Sequence, residues 1–387
     1  MSDIVIRRAI PGDEAEIASV YHEIYGGSYP DPMMSNLKLL HQNLAKGQDY
    51  FVVGTHNNVI VACMLYKVEK HHQLAKASGA VVKTAFRGQD LTQKMMHFGL
   101  QSLQEEGNPV SVVYATTRTV TTAPQKLTSQ LGFKKLGIFP NVHKTEDYET
   151  HCLTCFFSKD ALSHRYTDFR LHPAIRELFG IVQEEVNLPD LKIAEENEIE
   201  RRLTNRSQEL PVLEFIDASS FVLHRFESLK EHGQLPISFF PFHRPNTLIT
   251  SPDQSVEVFL SIEKSDQHCV IVGIKKPREI YHSLVYEKVC TILRARGIRY
   301  VETLVRADKL LTLNETLKAR FIPCAYFPAF QLYKGYRLDF VILSRTFEML
   351  DLHSIKLEGT NRKYLQQYYN SWRTLCLDPI LLNQDRD

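Results

Sequence analysis

The sequence predicts an α/β (α+β) fold in two domains, each with a mixed, mostly antiparallel central sheet flanked by helices. Three observations predict it. Strand and helix signals alternate over the first ~155 residues. The alternation resumes from Leu210 to Thr346. Residues of the two stretches also coincide at a constant offset, as in an internal repeat. A chain of 387 residues holds roughly two domains of ordinary size.

In order, "DIVIRRA" reads as a strand and "PGDEAEIASVYHEIY" as a helix with Pro11 near its start. "NLKLLHQNLAKG" is a second helix ending at Gly47. "YFVVGTHNNVIVACMLYKVEK" gives two strands joined at Asn57-Asn58, a hairpin signal. "ASGAVVKTAF" is a further strand, and after the turn that follows it Leu91, Met95, Met96, Phe98, Leu100 and Leu103 recur at helical spacing up to Gly107. "NPVSVVYATT" is apolar enough for a strand covered on both faces. "APQKLTSQLGF" is a short helix stopped by Gly132, and "HCLTCFF" closes the first domain as a strand, so the domain spans 1–160.

Charged, helix-prone segments, "HPAIRELFGIVQEEVNL" and "AEENEIERRL", form a connector, placed at 161–206. The second domain, 207–350, has "TLIT", "VEVFLSIEK", "CVIVGIKK", "IRYVETLV" and "DFVILSR" as strands, "EIYHSLVYEKVCTILRARG" as a long helix and "LNETLKARF" as a short one. A helical tail, 351–387, follows. An offset of 188 carries Val113 onto Val301, Phe133 onto Phe321, Phe139-Pro140 onto Phe327-Pro328 and Tyr148 onto Tyr336. It also carries Arg87, Gly88, Gln89 and Asp90 onto Lys275, Lys276, Pro277 and Arg278, so a second copy keeps the junction and loses its glycine.

Composition excludes several classes. Lys plus Arg (46) and Asp plus Glu (45) nearly cancel, which gives no field for nucleic acid. No apolar run has the ~20 residues of a membrane span, and the start lacks a secretory signal, so a cytoplasmic protein with neither nucleic-acid nor membrane partner is expected. Seven cysteines without regular spacing predict reduced thiols. The pair Cys152 and Cys155 lies within a strand without a partner pair at zinc spacing, and His71-His72 reads as a solvated turn, so no metal is expected.

The chemistry concentrates in "FRGQDLTQKMM", Phe86 to Met96. The first amides of a helix lack intrahelical partners and carry about half a positive charge, so an anion placed there satisfies donors and dipole together. Gly88 lets the backbone come close, Arg87 adds charge, and the Thr92 hydroxyl is a further donor. Asp90 tolerates left-handed backbone, but as a favoured N-cap its carboxylate competes with a bound anion for the same amides.

Strand, meander, strand, Arg-Gly turn, long helix, strand, and a short helix ending in "LGF" together resemble the GNAT superfamily of acyl-CoA-dependent N-acyltransferases. The resemblance covers residues 3 to about 158 well and 240 to about 346 in outline, which implies a tandem of two GNAT-like domains with a degenerate second copy. In that family an R/Q-x-x-G-x-G/A loop binds the coenzyme A pyrophosphate, and here it reads Arg87-Gly88-Gln89-Asp90-Leu91-Thr92, with Asp90 and Thr92 where glycines are usual. The resemblance implies acetyl-CoA as co-substrate, held by these six residues together with Val81, Val82 and Thr121.

Acyl transfer to an amine needs a neutral amine, a stabilised oxyanion and a proton for the thiolate. The family often draws that proton from a tyrosine one turn before "GF", a place that falls on Thr128. The expected substitute lies in "PNVHKTEDYETH", between the last two strands: Tyr148 as acid, with His143 or Glu149 taking the amine proton. Tyr21 to Met34, "YHEIYGGSYPDPMM", falls where the family builds its acceptor-binding lip. The expectation is an N-acetyltransferase acting on an amine-bearing small molecule or protein lysine, as a monomer or homodimer; a catalytically inactive interaction or acyl-CoA-sensing protein is the alternative.

Overall fold

A computed structural model describes residues 4–27, 29, 31–105, 110–158, 160–199, 209–235 and 240–377. Ser28 and Pro30 of the expected lip, the turn at Gly107, the connector from 200 to 206 and the tail beyond 377 lie outside the described residues. Two compact units make up the chain. Unit 1 comprises residues 1–116, 127–133 and 155–163, and unit 2 comprises 117–126, 134–154 and 164–387.

In unit 1, strand β1 (Val5–Arg8) leads into helix α1 (Glu14–Tyr25), with Arg7 holding Asp13 through hydrogen bonds of 2.7 and 2.9 Å. Helix α2 (Leu37–Lys46) begins at Asn36, whose side chain accepts from the Leu39 amide at 3.1 Å, and ends at left-handed Gly47. Strands β2 (Tyr50–His56) and β3 (Val59–Glu69) form the expected hairpin, with Asn57 and Asn58 at φ 51° and 63°. Positive φ at both central residues matches the turn to the strand twist, and asparagine tolerates it. Strand β4 (Leu74–Val82), helix α3 (Leu91–Glu105) and strand β5 (Val112–Arg118) follow, giving the order β1-β2-β3-β4-β5.

Alternation along β2 divides the core of unit 1 into two layers. Tyr50 and Val52 join a cluster with Met95, Met96 and Leu100 of α3, whereas Phe51 and Val53 join one with Ile17 and Val20 of α1 and Leu40 of α2. Burying both faces turns β2 into a continuous apolar run. Close approach of α3 to β3 depends on Gly99: a Cβ there would stand 2.3 Å from the Tyr66 ring, whose hydroxyl donates to the Met96 carbonyl at 2.8 Å.

Helix α4 (Ala123–Gln130) precedes strands β6 (Lys134–Lys144) and β7 (Tyr148–Phe157). The segment read as a loop between the last two strands is therefore mostly strand, and only 145–147 turn. The backbone kinks instead at Asn141, at φ 61°, which lets β6 carry Pro140 and continue to Lys144. Unit 2 continues with helices α5 (Arg176–Val186) and α6 (Glu196–Ile199), strand β8 (Glu214–Ile216), helix α7 (Ser219–Glu231) and strands β9 (Thr247–Thr250), β10 (Glu257–Glu263) and β11 (His268–Lys275). Helix α8 (His282–Ala295), strand β12 (Tyr300–Arg306), helix α9 (Leu310–Lys318), strands β13 (Ile322–Tyr333) and β14 (Tyr336–Thr346) and helix α10 (Asn361–Trp372) complete it. Its strands order as β7-β6-β13-β14-β12-β11-β10-β9-β8.

The run β8-β9-β10-β11-β12 repeats the order of β1-β2-β3-β4-β5, and in each the last pair is parallel. The 188 offset extends to backbone detail: β5 maps end to end onto β12, and left-handed Gly132 and Asn141 map onto left-handed Arg320 and Ala329. It also relates Gly137 of β6 to Ala325 of β13, which pair with each other across an antiparallel contact. Below that contact a buried network ties Arg165 and the Tyr326 hydroxyl to Asp339, and Asp339 also accepts from the Ala329 amide at 2.9 Å.

Two glycine substitutions should have opposite effects in thermal or chemical unfolding. Gly137→Ala places a Cβ 2.3 Å from the Cys324 carbonyl oxygen and 2.5 Å from the Ala325 Cα, both backbone atoms, and should cost about 1–3 kcal/mol. Gly180→Ala, inside α5 with nothing within 4 Å, should stabilise by up to about 1 kcal/mol.

Candidate functional site

The parallel ladder between β4 and β5 is short. Leu74, Ala75 and Lys76 pair with Val112, Val113 and Tyr114, and beyond them the two strands run on without pairing to each other. The edge of β4 from Ala77 to Val82 therefore faces an opening wedge. Its other edge pairs with β3, but with a bulge: Cys63 opposes Val81 and Leu65 opposes Ser78, so Gly79 and Ala80 are both accommodated against Met64. Gly79 sits at φ 63°, as a bulge glycine does, and the Tyr21 hydroxyl donates to its carbonyl at 2.5 Å.

Past β4, a turn of 3-10 helix (Thr84–Phe86) delivers the chain to Arg87, Gly88 at φ 80°, and Asp90 at φ 55°. The Asp90 carbonyl accepts from the Lys94 amide at 2.9 Å and so begins α3. Its carboxylate accepts no hydrogen bond among the described residues. Side-chain capping needs an extended N-cap backbone, and left-handed Asp90 does not have one. Amides from Gly88 through Gln93, six in a row, accordingly have no hydrogen-bond partner among the described residues. Arg87, Gly88, Gln89 and Asp90 are exposed, and Thr92 is half-buried.

Of the other residues assigned to the coenzyme, Val81 and Val82 pair with Cys63 and Ala62 of β3, leaving their opposite edge to the wedge. Thr121 belongs to unit 2, exposed, with its carbonyl accepting from Gln125 at 3.4 Å. Thr128 is buried in α4.

Tyr148, His143 and Glu149 also lie in unit 2, on β6 and β7, and all three are engaged there. The Tyr148 hydroxyl donates to the Gln267 side chain at 2.8 Å. His143 Nδ1 stands 2.9 Å from Asp266, whose hydrogen bond raises the imidazole pKa against the effect of burial. His151, whose Nε2 is 3.8 Å from Glu149, and Arg118, bonded through two guanidinium nitrogens, hold the Glu149 carboxyl down to about 2. Burial lowers the pKa of His151. Cys152 and Cys155 are free and buried. Among the described residues no group of three or more His, Cys, Asp or Glu is placed to hold a metal, and no helix is long and apolar enough to cross a membrane.

Sequence reasoning missed the tyrosine hydroxyls over β4. A Cβ on Gly79 would stand 2.7 Å from the Tyr21 hydroxyl and 2.8 Å from that of Tyr29. The available signal was an isolated glycine inside a strand, which marks a bulge or a close approach. Also missed was Glu315 of α9, which is buried and accepts from the Ser283 hydroxyl at 2.6 Å at the start of α8. The junction in unit 2 that corresponds to the Arg87–Thr92 loop thus has a carboxylate already at its helix N-terminus.

No family model and no curated protein matches the chain. Solved structures similar in part include an acetyltransferase of the GNAT family from Streptococcus pneumoniae, 14% identical, covering 40% of this chain and 100% of that one, with a TM-score of 0.36. An N-acetyltransferase from Staphylococcus aureus Mu50 is 16% identical over 40% of this chain and 99% of that one, with a TM-score of 0.35. The ribosomal-protein-S18-alanine N-acetyltransferase from Escherichia coli is 18% identical over 40% and 94%, with a TM-score of 0.34. Likenesses of this degree assign the chain neither a family nor an activity.

The His143 pair has a pH signature. A raised histidine pKa stabilises the fold fully below its unfolded value of about 6.5, and that stabilisation is lost as pH rises through the folded value. Asp266→Asn should therefore cost about 1 kcal/mol near pH 5.5 and less near pH 9, measured by denaturant unfolding at both.

Proposed function

We propose that the chain transfers an acyl group, most simply acetyl, from a coenzyme A thioester to an amine, with the thioester bound in unit 1. One observation carries this reading: the six unpartnered amides of Gly88–Gln93 open a helix of 15 residues directly after a strand whose free edge faces a wedge. A diphosphate satisfies the amides and the helix dipole, Arg87 supplies charge, and the unpaired edge of β4 through Val81 and Val82 offers backbone groups to an amide-bearing pantetheine arm. The GNAT-like motif order supports the same assignment.

The tandem organisation is part of the proposal: a GNAT-like domain at 1–160, a helical connector at 161–206, a degenerate copy at 207–350 and a helical tail at 351–387. The repeated strand order and the 188 offset in left-handed residues favour duplication. Glu315 and Pro277 favour degeneracy, because the first places an anion where a phosphate would go and the second removes an amide. The acceptor is a small-molecule amine or a protein lysine, and the chain acts as a monomer or homodimer in the cytoplasm without nucleic-acid or membrane partner.

Proton transfer in this scheme falls to a phenol. Tyr148, assisted by His143 or Glu149, is one candidate, its hydroxyl occupied by Gln267. Tyr29 is the other. A protein that binds acyl-CoA without turnover is the competing reading, favoured by the buried threonine at 128 and the acidic Asp90.

Acetyl-CoA at a hundred times its dissociation constant should stabilise the fold by about 2.7 kcal/mol, readable as a rise in melting temperature. Arg87→Glu should abolish the rise. Asp90→Gly should tighten binding about two- to fivefold, since glycine adopts the same φ and removes a like charge from the helix end. A melting temperature indifferent to millimolar acetyl-CoA would sink the assignment.

A further inference from the structure

Tyr29 is mostly buried, yet no hydrogen bond of its hydroxyl is found among the described residues. Its ring packs at 4.8 Å from that of Tyr21 and 4.9 Å from that of Tyr25. Tyr21 spends its proton on the Gly79 carbonyl, whereas the Tyr29 hydroxyl reaches the same glycine with its proton uncommitted. Glycine is required at 79 both for the left-handed backbone and for room, because any Cβ would collide with both hydroxyls. The phenol is thus held over the bulge in β4, on the strand whose free edge faces the wedge.

The two rings also line a cavity of about 460 Å³. Ala15, Ala18 and Ser19 of α1 and Met34 also line it, and no Asp, Glu, Lys or Arg is among its described lining. A polyamine or aminoglycoside carries several ammonium groups, and this lining offers them no carboxylate, the nearby Asp31 being paired already with Lys67 at 2.8 Å. An amine on an uncharged, partly apolar body meets no such penalty.

We propose that Tyr29 is the proton donor of the transfer and that this cavity takes an amine whose remaining body is uncharged. The proposal rests on the acyl-CoA reading of the wedge and loop. The amine nitrogen forms the C–N bond as the C–S bond breaks. Tyr29 gives its proton to the departing sulfur and recovers one from the nitrogen, so amine and thioester become amide and thiol with no other reactant.

The test compares wild type, Tyr29→Phe and Tyr148→Phe by release of free thiol from acetyl-CoA. Acceptors are a panel of uncharged-bodied amines, such as apolar amino-acid amides, set against spermidine. Melting temperatures with and without acetyl-CoA report folding and donor binding. The expected result is a kcat lowered about 100-fold in Tyr29→Phe, with KM for acetyl-CoA and the thermal shift retained, and turnover of the uncharged panel over spermidine. Tyr29→Phe within threefold of wild type, a loss carried by Tyr148→Phe instead, a preference for spermidine, or no turnover across the panel despite an intact thermal shift would each overturn the proposal. A missing thermal shift in wild type would instead remove the acyl-CoA reading beneath it.

Discussion

Left-handed backbone on either side of one strand end sets the character of unit 1. Gly79 makes the bulge that bends β4, and Gly88 and Asp90 make the turn that brings the chain into α3. Between them β4 leaves its ladder with β5 after Lys76, and the amides of the turn have no acceptor among the described residues. Backbone polar groups left unpaired in this number are costly unless water or a ligand takes them, and here they cluster at one end of the unit.

The Asp90 carboxylate shows how one dihedral decides between capping and binding. At an extended N-cap it would fold back onto the first amides of α3 and close the site. At φ 55° the same residue contributes only its carbonyl, to Lys94, and the amides remain open. Unit 2 takes the opposite course. Its corresponding helix, α8, meets the buried Glu315 at Ser283, and the junction before it contains Pro277. Two similar strand orders thus reach one helix terminus without a carboxylate and one that Glu315 partly covers.

Much of the fold was legible because its signals are local. The Asn57-Asn58 hairpin, the stop at Gly47 and the apolar spacing of α3 need only neighbouring residues to act, and each element lies where those residues placed it. The hairpin of β6 and β7 was less legible. Polar residues such as His143 and Tyr148 look like loop when their partners, Asp266 and Gln267, lie more than a hundred positions along the chain. Strand β13 escaped for a related reason, since its two prolines and its left-handed Ala329 break the strand pattern, and the buried Asp339 takes the Ala329 amide there.

From the chain alone came the alternation of elements, the coincidences at an offset of 188 and the glycine-bearing turn before α3, because spacing, glycine placement and helix-end chemistry act over a few residues. Tertiary structure decided where β4 parts from β5, that Asp90 leaves its amides free, and that Tyr21 and Tyr29 meet at Gly79 from 50 or more positions away. Those outcomes follow from long-range pairing and packing, in which no residue's own preference specifies the partner that competes for its hydrogen bonds.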